Sequence, residues 1–76
     1  MIRLTRRVPE KGMARWYTVH VQRNLFGAWV VWCAWGSLET DFQQARYLSA
    51  SDRRQAEQMA RRIVAEKVRR GYLRSV

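Results

Sequence analysis

The feature that most constrains the fold of this chain is the run Phe26–Ser37, which contains three of the four tryptophans. Successive side chains of a strand point to opposite faces. One face of this run carries Trp29, Val31, Cys33 and Trp35, and the other carries Ala28, Val30, Trp32 and Ala34. Because both faces are apolar, the run predicts a central strand. We expect Trp29 and Trp32 to lie mainly in the core and Trp35, beside Gly36 at the strand end, to lie near the surface.

Three further segments alternate between apolar and polar residues, as strands do. Residues 2–8 predict an edge strand with a basic outer face, residues 15–22 a half-buried strand, and residues 42–49 a strand of mixed pattern. Turn-forming residues at Pro9–Gly12 and Arg23–Gly27 separate the first three strands. Most of the sheet is therefore expected in the N-terminal two thirds of the chain.

One long helix is predicted near the C-terminus. From Ala56 to Val68 apolar residues recur at steps of three and four, which defines one apolar stripe. Asp52 and Gln55 have the spacing of an N-cap and its bonded residue, and Gly71 follows the last turn. The segment Tyr72–Val76 either adds a short strand or packs back on the sheet. This order predicts an α+β fold, in which an antiparallel sheet of four to five strands carries one long C-terminal helix on one face.

The length of 76 residues predicts a single domain, residues 1–76. No run approaches the ~20 apolar residues of a membrane span, and no membrane partner is expected. The basic start Met1–Arg7 is not followed by the apolar block of a secretory signal, so we expect a cytoplasmic protein. A lone cysteine, Cys33, has no internal disulfide partner and is expected to be a small buried hydrophobe.

Net charge is the strongest global property of the sequence. Fifteen Lys and Arg against six Asp and Glu give a net charge of +9 and a pI near 11.3. Arg outnumbers Lys heavily, and the planar guanidinium suits bidentate contacts with phosphate. The charge therefore indicates a polyanionic partner, although it could also serve only to keep the protein soluble.

The chain is poor in groups that could form a catalytic or metal site. His20 is the only histidine, and it could meet Cys33 only if a hairpin brought the two together. One Cys and one His are too few for a typical zinc site, which uses three or four protein ligands. We therefore expect a protein that is not an enzyme, with no cofactor, no metal site and no small-molecule substrate.

Several short motifs together resemble a known family, the WGR domain of poly(ADP-ribose) polymerases and of short bacterial proteins. They are Trp16-Tyr17-Thr18-Val19, Asn24-Leu25-Phe26-Gly27-Ala28-Trp29, the pair Trp35-Gly36, and Glu66-Lys67-x-x-x-Gly71-Tyr72. The resemblance extends from Trp16 to Tyr72. It implies a curved antiparallel sheet with one helix, a non-catalytic module that engages nucleic acid and neighbouring protein domains. In the polymerases, the Trp and Arg of the motif help to recognise a DNA end.

The chain departs from the pattern at the motif that names the family. Trp-Gly-Arg-Ile-Gly is replaced by Trp35-Gly36-Ser37-Leu38-Glu39, a degenerate version that lacks the arginine and the second glycine. Only Trp35 and Gly36 can therefore be carried over as nucleic-acid-binding residues. Arginines on neighbouring strands or turns are candidates to replace the lost charge, namely Arg15, Arg23 and Arg46.

Together these observations predict a small, cytoplasmic, bacterial WGR-like module without catalytic activity. It would bind nucleic acid, DNA more readily than RNA, through arginine–phosphate contacts with little sequence specificity. Trp35 would stack on a base or sugar. The alternative is an adaptor whose basic surface docks an acidic protein, and the lost arginine together with Glu39 favours it.

Overall fold

A computed structural model describes residues 1–75 and confirms the α+β class, with five strands and one helix. The strands are β1 Ile2–Val8, β2 Met13–Arg23, β3 Trp29–Ser37, β4 Gln43–Ala50 and β5 Leu73–Arg74. The helix α1 spans Arg53–Arg69, and one turn of 3-10 helix covers Pro9–Lys11. All strand pairs are antiparallel, in the order β4-β3-β2-β1-β5. Val76, which the sequence placed in a final segment, lies outside the described residues.

The strand order confirms one expectation and corrects another. As predicted, β3 is an interior strand, between β2 and β4, although β2 occupies the middle position of the five strands. The predicted edge strand β1 is not at the edge, because two residues after the helix return to pair with it as β5. Beyond that pair, the amide of Ser75 donates to the carbonyl of Arg3 at 2.8 Å.

The β2–β3 hairpin is closed by the side chain of Asn24. Its Oδ1 accepts the amides of Phe26 at 2.9 Å and Ala28 at 3.0 Å, and Gly27 has a φ of 79° that favours glycine. These bonds turn the side chains of Leu25 and Phe26 outward, where they are 100% and 94% exposed. The hairpin tip is therefore apolar and open to solvent.

The two ends of α1 are fixed as the sequence predicts. Asp52 Oδ1 accepts the amide of Gln55 at 2.8 Å, which satisfies a donor of the first turn. At the other end, the amides of Gly71 and Tyr72 donate to the carbonyls of Val68 and Lys67, the two bonds of a Schellman motif. Gly71 has a φ of 100°, and this reversal turns the chain back toward the sheet.

The core lies between α1 and one face of the sheet. Its buried members are Leu4, Tyr17, Val19, Val31, Cys33, Ala56, Ala60 and Tyr72. Ala56 and Ala60 are the buried residues of α1, and their small size lets the helix axis approach the strands closely. Trp29 packs against this core as expected, and Cys33 is fully buried.

The other face of the sheet, which we call the open face, is not covered by any element within residues 1–75. The register assigns to it the side chains of Arg3, Arg7, Trp16, Thr18, His20, Trp32, Ala34 and Tyr47. The smallest extent of the molecule is 18 Å, which fits one sheet and one helix layer. Trp32 was expected in the core, but it lies on the open face because α1 covers only the opposite side.

In the described part of the chain, we find no helix that combines the length and the apolar character needed to span a membrane.

Candidate nucleic-acid interface

A groove of about 730 Å³ opens where α1 ends and the helix-facing side of the sheet continues past it. This end of the sheet is formed by the start of β2 and the end of β3. The groove is lined by aromatic, charged and small residues, among them Arg15, Trp16, Tyr17, Trp35, Gly36, Ser37, Glu39, Arg46, Lys67 and Tyr72. It is thus both aromatic and basic.

The aromatic part of the groove follows from strand register. Tyr17 and Trp35 are directly opposite each other on β2 and β3, and their rings stack with centroids 5.8 Å apart and planes at 12°. Tyr72, returned by the turn after α1, meets the edge of Tyr17 at 6.4 Å and 75°. Tyr17 is buried, whereas Trp35 is only half-buried. Trp35 is therefore the ring of this stack with surface left for a ligand.

Lys67 brings a cation from the helix to this stack. Its Nζ lies 4.6 Å from the centroid of Tyr17 and 5.9 Å from that of Tyr72. The sequence did not single out Lys67 or Tyr72 as candidates, although both line the groove. The available signal was the position of Lys67 four residues after Ile63, on the apolar stripe of the helix, where a lysine must extend past the core.

Tyr17 is held in its neutral form. Burial raises its pKa from 10.0 to about 12, the neighbouring Cys33 thiol adds to the rise, and the Arg46 guanidinium opposes it. Arg46 is exposed and stands opposite Cys33 on β4, so its charge lies beside the Tyr17–Trp35 stack. Tyr17 supports the groove as an uncharged wall.

The cations of the groove are not neutralised internally. Within residues 1–75, the salt bridges join Arg53 to Glu57 and Arg70 to Glu66, with none to Arg15, Arg46 or Lys67. Among the lining residues, Glu39 is the acidic one, and it contributes one negative charge. The balance in the groove is positive, and a bound anion would not have to displace an ion pair.

Gly36 lies beneath the indole of Trp16. A Cβ at this position would come within 2.4 Å of the Phe42 carbonyl oxygen and 2.9 Å of the Trp16 ring. Only glycine fits here without movement of the β3–β4 connection. The lack of a side chain at Gly36 thus lets the Trp16 indole and the Phe42 backbone pack against the end of β3, at the edge of the groove.

Ser37, which stands where the family pattern has arginine, has a local structural role. Its Oγ accepts the amides of Glu39 at 3.0 Å and Thr40 at 3.1 Å. The serine therefore stabilises the turn after β3 and brings no charge to the groove.

Arg23, the fifth predicted binding residue, lies at the opposite end of β2 from Arg15. Its guanidinium is 5.5 Å from the Trp29 ring and donates to the Gly27 carbonyl at 3.4 Å. The structure therefore brings together Trp35, Gly36, Arg15 and Arg46 and leaves Arg23 at the hairpin.

His20 and Cys33 do not form a pair. Val19 is the partner of Cys33 in the register, and His20 is the partner of Trp32 on the open face. Since the two side chains point to opposite sides of the sheet, a thiol–imidazole site cannot form between them. Among residues 1–75, no group of three His, Cys, Asp or Glu side chains is arranged to hold a metal ion.

Comparison with protein families assigns the chain. The model of the WGR domain matches residues 1–76, the whole sequence. The chain belongs to the WGR domain family. Neither the curated proteins nor the solved structures gave a match. WGR domains are in general modules of the nucleic-acid-binding type, small and typically non-catalytic.

Proposed function

We propose that this WGR domain binds nucleic acid, DNA in preference to RNA, at the groove beside Trp35. Arg15, Arg46 and Lys67 contact phosphates, and Trp35 stacks on a base or sugar. The contacts are made mainly to the backbone, so sequence specificity is low. The preference for DNA follows from the resemblance to the polymerase modules, and no catalytic step is part of the proposal.

The observation that carries the proposal is the set of three unpaired cations around one half-buried tryptophan. Charge-assisted hydrogen bonds to phosphate are stronger than neutral ones, and each neutralised phosphate releases a condensed counterion. A tryptophan face beside such cations accepts any base, because every base has a π-face. Arg15 and Arg46 thus supply the charge that Ser37 does not.

The remaining two predicted residues have indirect parts in the proposal. Gly36 lets the Trp16 indole and the β3–β4 connection pack closely against the end of β3, which forms one edge of the groove. Arg23 lies too far along β2 to share a phosphate with Arg15, so it contributes to the positive field that attracts a polyanion.

Fluorescence anisotropy with a labelled DNA duplex of about 16 base pairs, titrated at several salt concentrations, tests this proposal. We expect log affinity to fall linearly with log salt, by about 0.9 for each phosphate neutralised. Arg46→Gln should reduce the magnitude of that slope by about 0.9, the contribution of one phosphate. The matched control is Arg54→Gln, an identical change of charge in the first turn of α1, at the helix end away from the groove.

Two results would contradict the groove as the binding site. The first is an absence of duplex binding at low salt, and the second is an equal loss of slope in Arg46→Gln and Arg54→Gln. An RNA duplex of the same sequence, titrated in parallel, tests the preference for DNA. Equal or tighter binding of RNA would reverse that part of the proposal.

A second candidate function is favoured by the hairpin tip. Leu25 and Phe26 are almost fully exposed beside Arg23, and aromatic residues together with arginine are enriched in protein interfaces. In this alternative, the basic surface docks an acidic protein. Pull-down from a nuclease-treated lysate, with the wild type and with Leu25→Ser/Phe26→Ser, distinguishes the two candidate functions. A protein partner is still captured after nuclease treatment and is lost in the double variant. A partner tethered through nucleic acid is lost on nuclease treatment.

A further inference from the structure

The open face carries a set of aromatic rings, of which Trp32 and Tyr47 lie outside the groove and Trp16 also borders it. His20, Trp32 and Tyr47 are direct partners on β2, β3 and β4, so their side chains form one row across the sheet. Trp16 lies on the same face two rows away, since its partner is Gly36. Neighbouring strands are about 4.8 Å apart, so the rings of this row stand side by side.

The rings lie over a floor of small residues. Thr18 and Ala34, partners in the row between Trp16 and Trp32, are 5% and 4% exposed although no described element covers this face. Their burial is therefore due to the neighbouring side chains on the face itself. The Trp16 indole extends over the backbone of Gly36, and Tyr47 is 64% exposed. The open face is thus a shallow aromatic platform.

The charge of this face is positive without compensation. All six Asp and Glu of the chain lie outside the five strands, in the 3-10 turn, the β3–β4 loop, and the cap and body of α1. Arg3 and Arg7 stand on the open face at β1, and the Arg3 guanidinium is 5.9 Å from the Trp16 ring. Cations therefore border the aromatic rings on the β1 side.

We propose that the open face binds single-stranded nucleic acid, with bases stacked on Trp16, Trp32 and Tyr47 and phosphates held by Arg3 and Arg7. Aromatic rings on a sheet with basic neighbours suit unpaired bases, whose faces are accessible only outside a duplex. A second copy of this chain is a poor occupant, because two molecules of net charge +9 repel each other. Apart from Trp16, which borders both, the residues of this surface are separate from the groove, and the proposal stands whether or not the groove binds duplex DNA.

The test uses labelled single strands of about 15 nucleotides, oligo-dT and oligo-rU, in anisotropy titrations. We expect Tyr47→Ala to weaken binding by about fivefold or more, as loss of one stacking ring does, and Tyr47→Phe to retain it. Phe26→Ala is the matched control, since it removes an exposed ring from the hairpin tip. The DNA and RNA strands show whether the sugar matters.

Titrations with duplex DNA distinguish binding at the open face from binding in the groove. Tyr47→Ala should bind duplex as the wild type does, whereas Arg46→Gln should lose duplex affinity and its salt slope. If Tyr47→Ala and Tyr47→Phe bind single strands equally well, or if the wild type binds no single strand at low salt, the platform is refuted. A concentration-dependent dimer that Tyr47→Ala abolishes would refute it in favour of self-association.

Photo-cross-linking locates the contact directly. An oligo-dT that contains 5-iodouracil is irradiated with the protein and digested with trypsin, which releases Tyr47–Arg53 as a peptide distinct from the one that carries Trp35. We expect a cross-link to Tyr47. Because the peptide Asn24–Arg46 carries both Trp32 and Trp35, its fragmentation assigns the cross-linked residue, and cross-links restricted to Trp35 would place single strands in the groove and overturn the proposal.

Discussion

At the scale of single residues, the pair Trp35-Gly36 has two different tasks. Trp35 continues the aromatic stack and keeps part of its ring accessible, while Gly36 accommodates the Trp16 indole and the Phe42 carbonyl oxygen. Ser37 completes the turn that follows. The glycine of the family motif is therefore needed here for packing, independently of any ligand.

Gly36→Ala should destabilise the protein by about 2 kcal/mol or more, because the added methyl group overlaps a backbone oxygen that has little room to move. Urea unfolding followed by tryptophan fluorescence measures the change. Gly12→Ala is the control: its φ is 62° with nothing within 4 Å of the added Cβ, so it bears only backbone strain. A smaller cost at Gly36 than at Gly12 would contradict the close packing described above.

The raised pKa of Tyr17 predicts a loss of stability at high pH. Because burial raises its pKa to about 12 in the folded protein, the unfolded chain loses this proton first as pH rises past 10. The contribution of Tyr17 to the free energy of unfolding is complete below pH 10. It falls by about 2 kcal/mol between about pH 10 and pH 12. Urea unfolding across this range should show the decline in the wild type and a shallower decline in Tyr17→Phe. Parallel curves for the two proteins would contradict the shift.

At the scale of elements, local patterns in the sequence were sufficient for the helix and for most strands. The Asp52 cap, the apolar stripe and Gly71 are interactions between near neighbours, so they are readable from the chain. Alternation placed β2 within one or two residues and found the interior position of β3. The face of Trp32 could not be settled in this way, because both sides of β3 are apolar and only the placement of α1 decides which is covered.

Long-range pairing explains the features that the sequence left open or missed. β5 has only two residues, too few for a periodic signal, and it forms because the turn at Gly71 directs the chain to β1. The groove likewise depends on the helix end meeting the sheet, which brings Lys67 and Tyr72 to Tyr17. Strand register puts Trp35, Arg15 and Arg46 on the same side of neighbouring strands, whereas their role in binding stays a prediction.

At the scale of the whole molecule, charge is distributed unevenly between the two layers. The strands contain Arg3, Arg6, Arg7, Arg15, Arg23, Arg46 and Arg74 and none of the six carboxylates. The carboxylates of α1 are already engaged, Glu57 with Arg53 and Glu66 with Arg70. The sheet is therefore a layer of like charges that repel one another in the folded state.

The free protein should become more stable when salt is added. Screening shortens the range of the repulsion, from about 30 Å at 0.01 M to about 8 Å at 0.15 M ionic strength, so the folded state gains most. Thermal unfolding followed by circular dichroism should show a higher midpoint at 0.15 M salt. A gain of about 1 kcal/mol corresponds to about 4–8 °C for a domain of this size. A midpoint that falls with salt would contradict this account.

Because the sheet carries arginines and no carboxylate, the anion of the buffer affects every binding measurement. In the absence of a polyanion, small anions must gather at the arginines, and a nucleic acid has to replace them. The released ions then come from the protein as well as from the DNA. Chloride, acetate and glutamate differ in how strongly they associate with guanidinium groups. Titrations at one ionic strength but with different anions will therefore give different affinities. The difference between them reports how far small anions occupy the arginines of the sheet before nucleic acid binds.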